Sequence, residues 1–184
     1  MKSVADIFRS YAVLDGDGRH VNGTDKESNH HYGAAYEALL VGRRNEVELV
    51  MEVGVADGSC LLAWCEVFPN ALIVGMDIHS SDRAHGDCIE FHLGDQRVQR
   101  DCEAAAAGRQ FDMIIDDATH YIENTLLTLY YLWPSVKPGG IYVVEEWPGT
   151  DLKHVQSLWP QAEIVNTLGP FGGVEPLVVM RKSE

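Results

Sequence analysis

Apolar residues along the 184-residue chain alternate between short strand-like runs and longer stretches with helical spacing. The strand-like runs are rich in β-branched residues and end in polar residues, as buried strands of a sheet do. We place these runs at residues 47–55, 71–76, 89–93, 111–115, 141–144, 163–165 and 177–180. Strands that alternate with helices predict an α/β fold, here a Rossmann-like, doubly wound, mostly parallel seven-stranded sheet. The last strand should be antiparallel, because its connection is too short for a parallel crossover.

Two segments outside these strands complete the expected fold. Apolar residues at helical spacing predict a first helix that runs to about Leu14 and ends at the glycines that follow, and a late helix at residues 151–159. A hairpin loop should occupy residues 167–176. The polar, turn-rich residues 21–32 precede the first strand and form either a plain linker or a lid that contacts a cofactor.

Two glycines, Gly54 and Gly58, separate the first strand from a helix predicted at residues 59–68. Glycine adopts backbone angles that side chains forbid, and a helix N-terminus offers unpaired N–H groups, so this turn can cradle a nucleotide. The middle glycine of G-x-G-x-x-G is missing, which disfavours a dinucleotide. The spacing E-x-G-x-x-x-G, which starts at Glu52, resembles motif I of the class I S-adenosylmethionine methyltransferases. A purely structural glycine turn is the alternative.

Polar residues that follow the second and third strands are candidates for binding adenosine. Asp77 lies about 20 residues beyond the glycines, where a carboxylate can accept hydrogen bonds from both ribose hydroxyls. A surface turn is its alternative role. Asp95 and Gln96 follow the third strand and are candidates for the adenine amine. For Asp95, capping the helix predicted at residues 96–107 is an equally good interpretation.

Four carboxylates, Asp116, Asp117, Glu145 and Glu146, follow the fourth and fifth strands. In a parallel sheet these strand ends meet at one edge, where repulsion would raise the pKa values of the acids unless a cation is bound. Oxygen ligands suit Mg²⁺, or Mn²⁺, which would hold a substrate hydroxyl and lower its pKa. His120 lies three residues after Asp117 and is a candidate general base.

Composition narrows the choice of partners and compartment. With 14 Lys and Arg against 28 Asp and Glu, the formal net charge of -14 argues against nucleic acid as a partner. No run of about 18 apolar residues indicates a membrane segment, so we expect a cytoplasmic protein. The four cysteines contain no C-x-x-C pair, and we expect all four to be reduced.

The length suits a single domain at residues 1–184, in which residues 1–46 supply N-terminal helices and the lid or cofactor-contact loop, and residues 47–184 form the core. The sequence leaves the oligomeric state open. A homodimer is one candidate, because the amphipathic first helix, Trp147 and Trp159 offer apolar surface.

Together these motifs resemble those of the metal-dependent sugar O-methyltransferases of macrolide and aminocoumarin biosynthesis, of the macrocin and mycinamicin type. The resemblance covers residues 21–147. It rests on Gly23-Thr24-Asp25-Lys26, His31-Tyr32, Tyr36-Glu37, Glu52-Val53-Gly54, Asp116-Asp117-Ala118-Thr119-His120 and Pro138-Gly139-Gly140-Ile141-Tyr142-Val143-Val144-Glu145-Glu146. The family commonly has glycine where Ala118 stands and aspartate where Glu146 stands.

The resemblance implies S-adenosylmethionine as cofactor, the strand order 3-2-1-4-5-7-6 and a saccharide substrate. It also implies Asp117, Glu145 and Glu146 as metal ligands and His120 as the general base. The cofactor-binding candidates combine the loop, the glycine turn and the strand ends: Thr24, Lys26, Glu52, Gly54, Gly58, Asp77, Asp95, Gln96 and Asp116.

Three hypotheses follow for the function. The first is O-methylation of a sugar hydroxyl on a glycosylated natural product or a polysaccharide such as a methylated mannan. The second is O-methylation of a catechol-like or other small vicinal diol, which a carboxylate-held Mg²⁺ would serve equally well. The third is a non-catalytic subunit that binds S-adenosylmethionine.

Overall fold

A computed structural model describes residues 1–147, 155–157, 159–168 and 174–184 of the chain. Its helices are α1 (Val4–Tyr11), α2 (Gly33–Leu39), α3 (Ser59–Val67), α4 (Gln99–Ala106) and α5 (Ile122–Leu132), and a 3-10 turn follows at Trp133–Ser135. Two short strands, β1 (Ala12–Leu14) and β2 (His20–Gly23), form a separate hairpin. The main sheet contains β3 (Leu49–Val53), β4 (Leu72–Asp77), β5 (Ile89–Leu93), β6 (Phe111–Asp116), β7 (Val136–Val144), β8 (Glu163–Leu168) and β9 (Val174–Arg181).

The seven strands of the main sheet follow the order β5-β4-β3-β6-β7-β9-β8. The first five run parallel, whereas β9 is antiparallel to both of its neighbours. This arrangement confirms the predicted doubly wound sheet with an antiparallel last strand. It also brings the carboxyl ends of β3, β4, β5, β6 and β7 to one edge, which is where such folds bind ligands.

Consecutive strand residues face opposite sides of the sheet, and each side has its own apolar core. Val50 packs with Trp64 in the core beneath α1, α2 and α3, whereas Met51 packs with Leu129 in the core beneath α4 and α5. Strands that are apolar on both faces are typical of a sheet covered by helices on both sides. This explains why the strands appear as continuous apolar runs in the sequence.

The first helix ends earlier than its apolar spacing predicts. It stops at Tyr11, and residues 12–14 pair with β2. The carboxylate of Asp15 accepts hydrogen bonds from the N–H groups of Asp17 and Arg19, which closes the hairpin turn. Val13 and Leu14 are 41% and 44% exposed. A helix continued beyond Tyr11 would therefore have no apolar core to pack against.

The prediction of four reduced cysteines is wrong for two of them. Cys65 in α3 and Cys88, just before β5, form a disulfide across a Cα–Cα distance of 6.2 Å, which lies within the span that a disulfide allows. Cys60 and Cys102 are free and buried, as expected. No local motif marks the pair, because the fold alone brings together residues that are 23 positions apart.

The longest described helix, α5, has 11 residues, and no helix in the described ranges has the length and hydropathy of a bilayer span. Of the late helix predicted at residues 151–159, residues 155–157 are described and are helical. The hairpin loop predicted at residues 167–176 is too long, because β8 continues to Leu168 and β9 begins at Val174; residues 169–173 lie outside the described residues.

Candidate active site

A cavity of about 350 Å³ opens at the carboxyl edge of the parallel strands. Its walls come from the segments that follow β3, β4, β5 and β6, and from the loop between β2 and α2. Nine of the predicted site residues line it: Thr24, Lys26, Gly54, Asp77, Asp95, Gln96, Asp117, His120 and Glu146. The sequence prediction and the position of the cavity therefore converge on the same edge of the sheet.

Four predicted site residues, Glu52, Gly58, Asp116 and Glu145, are buried behind this wall and are not part of the lining. Asp116 is an example: the hydroxyl of Tyr142 donates a hydrogen bond to it, and burial raises its pKa to about 7.

Gly54 allows the end of β3 to pass the end of β6. Its φ is +86°, and a Cβ atom there would overlap the carbonyl oxygen of Asp117 and lie 2.5 Å from the Cα of Ala118. Gly58, with φ of +85°, precedes α3 as its N-cap and has the backbone of Ala84 against it. Both glycines are therefore required by the packing of the chain itself.

The carboxylate of Asp77 fastens the glycine turn to the end of β4. It accepts hydrogen bonds from the N–H groups of Val55 at 2.9 Å and Ala56 at 3.1 Å, and a third from His79 at 2.9 Å. Asp77 is thus not a free surface residue. It lines the cavity while it holds the cradle in shape.

Asp95 does not cap α4, whose N-cap residue is Val98. The capping interpretation is therefore wrong, and Asp95 pairs instead with the guanidinium of Arg97 at 2.6 Å, which lowers the pKa of the carboxyl. The amide of Gln96 donates to Thr128 at 2.7 Å and accepts from the N–H of Thr119 at 3.2 Å. Gln96 thereby ties the end of β5 to the loop that follows β6.

Two buried carboxylates and a partly exposed one surround the ammonium of Lys26. Its Nζ lies 2.9 Å from Glu52, 2.8 Å from Asp117 and 2.6 Å from Glu145. We call Glu52, Asp117 and Glu145 the deep cluster. Burial lowers the pKa of Lys26, but the three carboxylates outweigh this effect and raise it well above the usual value. The pKa of Glu145 is also raised by its burial, since one ammonium does not balance three acids.

An outer cluster, formed by Asp117, His120 and Glu146, faces the cavity. His120 Nε2 lies 3.0 Å from Oε2 of Glu146 and 3.9 Å from Oδ1 of Asp117. The hydrogen bond to Glu146 raises the pKa of His120 and lowers that of Glu146. The outer cluster is therefore a hydrogen-bonded group on the cavity wall.

The three predicted metal ligands divide between these two clusters. Within each cluster the potential ligand atoms lie within 4.8 Å of one another, and Asp117 belongs to both. Glu145 points inward, where Lys26 and the hydroxyl of Tyr36 engage its two oxygens. Glu146 points to the outer cluster. The outer cluster fits a divalent cation, because two carboxylates and an imidazole converge there beside open space.

His30 and Glu175 were not among the predicted site residues. His30 bonds to Glu175 and lies 3.2 Å from Asp25 and 3.7 Å from Glu146. Burial lowers the pKa of His30, but the bonds to Asp25 and Glu175 raise it to about 9. The sequence singled out only the loop that contains His30. Nothing in the local pattern pointed to a partner 145 residues away.

The fold is that of a methyltransferase. The solved structure of MycE methyltransferase from the mycinamycin biosynthetic pathway, in complex with Mg, SAH and mycinamycin VI, matches it with a TM-score of 0.68 and 24% identity. The match covers 86% of this chain and 39% of MycE. No protein-family model matches the chain.

Curated relatives point to sugar O-methyltransferases. Demethylmacrocin O-methyltransferase of Streptomyces fradiae is 34% identical over 136 residues, which is 66% of this chain and 34% of that protein. The 8-demethyl-8-alpha-L-rhamnosyl tetracenomycin-C 2'-O-methyltransferase of Streptomyces olivaceus is 31% identical over 140 residues, 69% of this chain and 37% of that protein. The chain spans about a third of the length of these relatives. The resemblance inferred from the motifs is confirmed.

Proposed function

We propose that the chain carries the site of an S-adenosylmethionine-dependent, Mg²⁺-assisted O-methyltransferase that acts on a sugar hydroxyl. One observation carries the proposal: the outer cluster lines the same cavity as Gly54 and Asp77. A proton acceptor and metal ligands beside a cofactor cradle are what metal-assisted methyl transfer requires. The named activities of the relatives support a sugar as the acceptor.

The cofactor would lie along the ends of β3, β4 and β5. Asp77 would receive one ribose hydroxyl, because its carboxylate already accepts three backbone N–H bonds and a carboxylate accepts about four hydrogen bonds. Asp95 would meet the adenine, because the amide of Gln96 is engaged within the protein. Thr24 would contact the cofactor from the loop that lines the opposite wall.

Asp117 and Glu146 would hold the divalent ion, Mg²⁺ or Mn²⁺, with Glu145 as the third predicted ligand. When bound, the ion supplies a positive charge that lowers the pKa of the acceptor hydroxyl. Glu145 reaches such an ion only if it exchanges a contact with Lys26 or Tyr36. The cavity opening, by contrast, leaves Asp117 and Glu146 accessible.

His120 would remove the hydroxyl proton. Bound S-adenosylmethionine would supply the methyl group that the deprotonated hydroxyl takes up. The backbone of His120 has a φ of 51°, a conformation that costs free energy in a non-glycine residue and is often retained at functional sites. The packing therefore holds the imidazole at the cavity wall in a strained position.

Three further predictions concern the domain organisation, the oligomeric state and the location of the protein. We propose residues 1–184 as one methyltransferase domain, because α1 and α2 share an apolar core with α3. The homodimer and the cytoplasmic location stay predictions. The disulfide is unusual for a reducing compartment, so a count of free thiols in freshly lysed cells would test the location.

The test is methyl transfer from labelled S-adenosylmethionine by the purified protein, offered a panel of glycosides and saccharides and a matched panel of catechols. Labelled sugar supports the proposal. Label found on catechols alone would replace it with the vicinal-diol hypothesis. Tight binding of S-adenosylhomocysteine without transfer to either panel would favour a non-catalytic subunit.

A further inference from the structure

The deep cluster contains a cation that belongs to the chain. We propose that Lys26 is its resident cation and that, by filling the cluster, it limits the protein to one divalent ion, bound at the outer cluster. The inference rests on the proposed function for the outer ion. It adds a positioning role for Lys26, which the sequence had suggested only as a cofactor contact.

The geometry of the ammonium supports this role. A lysine ammonium has three N–H donors. Nζ of Lys26 donates hydrogen bonds to Asp117 at 2.8 Å and Glu145 at 2.6 Å, and it lies 2.9 Å from Glu52 as an ion pair. The same ligand atoms lie within 4.8 Å of one another, close enough to hold a metal ion themselves. The ammonium therefore occupies the place where a second cation would lie.

The surroundings keep Lys26 in place. Its side chain is only 2% exposed, and Nζ lies 5.9 Å from the centre of the Trp64 ring. The hydroxyl of Tyr36 donates to the other oxygen of Glu145. Removal of the ammonium would leave the buried carboxylates of Glu52 and Glu145, and the partly exposed one of Asp117, without a countercharge, which is strongly unfavourable. An incoming ion would have to displace a buried ammonium that is ion-paired with three carboxylates.

Asp117 connects the two clusters and gives Lys26 its positioning effect. Its Oδ2 binds Lys26 at 2.8 Å, whereas its Oδ1 faces His120 at 3.9 Å. Lys26 thus fixes the carboxylate so that one oxygen is left for the outer ion. The residue does this across 91 positions of sequence, from the loop between β2 and α2 to the end of β6.

The first experiment counts bound Mn²⁺ by equilibrium dialysis, with free Mn²⁺ measured by electron paramagnetic resonance. We expect one ion per chain in the wild type and two in Lys26→Met, where the freed carboxylates of the deep cluster take a second ion. Lys2→Met, which removes an exposed lysine, should still bind one ion. Two ions in the wild type, or one in both, would overturn the role of Lys26. No ion in the wild type would instead overturn the proposed metal site.

The second experiment needs no variant and therefore holds even if Lys26→Met fails to fold. In ¹⁵N-labelled wild-type protein, the Lys26 ammonium should give a protected NH₃⁺ signal, assigned through its own side-chain carbons. We expect this signal to persist when Mg²⁺ saturates the protein, because the ion binds at the outer cluster. Loss of the signal on addition of Mg²⁺ would mean that the ion displaces Lys26, and would overturn the proposal.

Discussion

His120 Nε2 lies 3.0 Å from Oε2 of Glu146, and both residues have a left-handed backbone, with φ of 51° and 47°. For non-glycine residues this conformation costs about 1–2 kcal/mol each. Two strained residues that face each other at a cavity wall indicate that the surrounding packing fixes their positions. The contact places a basic nitrogen beside a candidate metal ligand, which is the arrangement that the proposed chemistry needs.

We expect His120→Ala to lower kcat by roughly 10²- to 10⁴-fold, the range for a lost general base. Affinity for S-adenosylhomocysteine should be unchanged, since the cradle is built from other residues. Steady-state kinetics and calorimetry check both. His85→Ala, at an exposed histidine outside the cavity lining, is the matched control. A wild-type kcat in His120→Ala would leave deprotonation to the ion and solvent.

Activity should require a divalent ion at the outer cluster. EDTA should abolish methyl transfer, and Mg²⁺ or Mn²⁺ should restore it. Glu146→Gln should raise the Mn²⁺ concentration needed for half-saturation at least about tenfold, because a ligand charge is lost. Asp17→Asn, at an exposed carboxylate of the β1–β2 turn, should leave it unchanged. Full activity in excess EDTA would exclude the metal mechanism.

The sequence predicted the sheet because buried parallel strands leave a direct signature in it. Five apolar runs, each followed by polar residues, marked the parallel strands and the edge at which Asp77, Asp117 and Glu146 meet. The order of the strands came from resemblance, not from periodicity. The helical spacing gave a wrong prediction at residues 12–14. These residues form a strand, because the turn closed by Asp15 pairs them with β2.

The contacts inside the site were beyond the reach of local patterns. Lys26 meets Glu145 across 119 positions, and no spacing rule connects them. Consecutive glutamates gave no sign that Glu145 turns inward while Glu146 faces the cavity. That difference depends on the end of β7 at Val144, where the strand geometry lapses and Glu146 adopts a positive φ. These contacts are determined by the three-dimensional fold and cannot be derived from local sequence patterns.

Stability of the metal-free protein should fall at alkaline pH because of His30. Its folded pKa of about 9 exceeds the usual 6.5, so its stabilisation is complete below pH 6.5 and is lost as pH rises through about 9. We expect the free energy of unfolding, measured with urea, to fall by about 2 kcal/mol between pH 6 and pH 10. The free energy of unfolding of His30→Gln should fall by less over the same pH range. Equal slopes for both proteins would contradict the ion-paired state of His30.

Reduction of the Cys65–Cys88 disulfide should destabilise the fold. The bond closes a loop between residues 23 positions apart, and such a loop is expected to contribute about 3 kcal/mol by restricting the unfolded chain. Urea unfolding with and without reductant measures this contribution. The Cys65→Ser/Cys88→Ser double variant should not respond to reductant. An identical midpoint for reduced and oxidised wild type would show that the bond adds nothing.

A comparison of Gly54 with Gly42 distinguishes the packing role of Gly54 from the cost of its left-handed backbone. Both have positive φ, +86° and +72°, but a Cβ atom at Gly42 would meet nothing within 4 Å, whereas at Gly54 it would meet the backbone of Asp117 and Ala118. Gly42→Ala should therefore cost about 1–2 kcal/mol of unfolding free energy, from the left-handed backbone alone.

Gly54→Ala should cost at least about 3 kcal/mol, because overpacking against the end of β6 adds to the same strain. It should also weaken S-adenosylhomocysteine binding and the response to Mn²⁺ together, since the displaced Asp117 belongs to both clusters. Urea unfolding and calorimetry on both variants provide the comparison. An equal loss of unfolding free energy in the two variants would contradict the packing role of Gly54. A folded Gly54→Ala protein with wild-type affinities would show that the glycine turn is not part of the binding site.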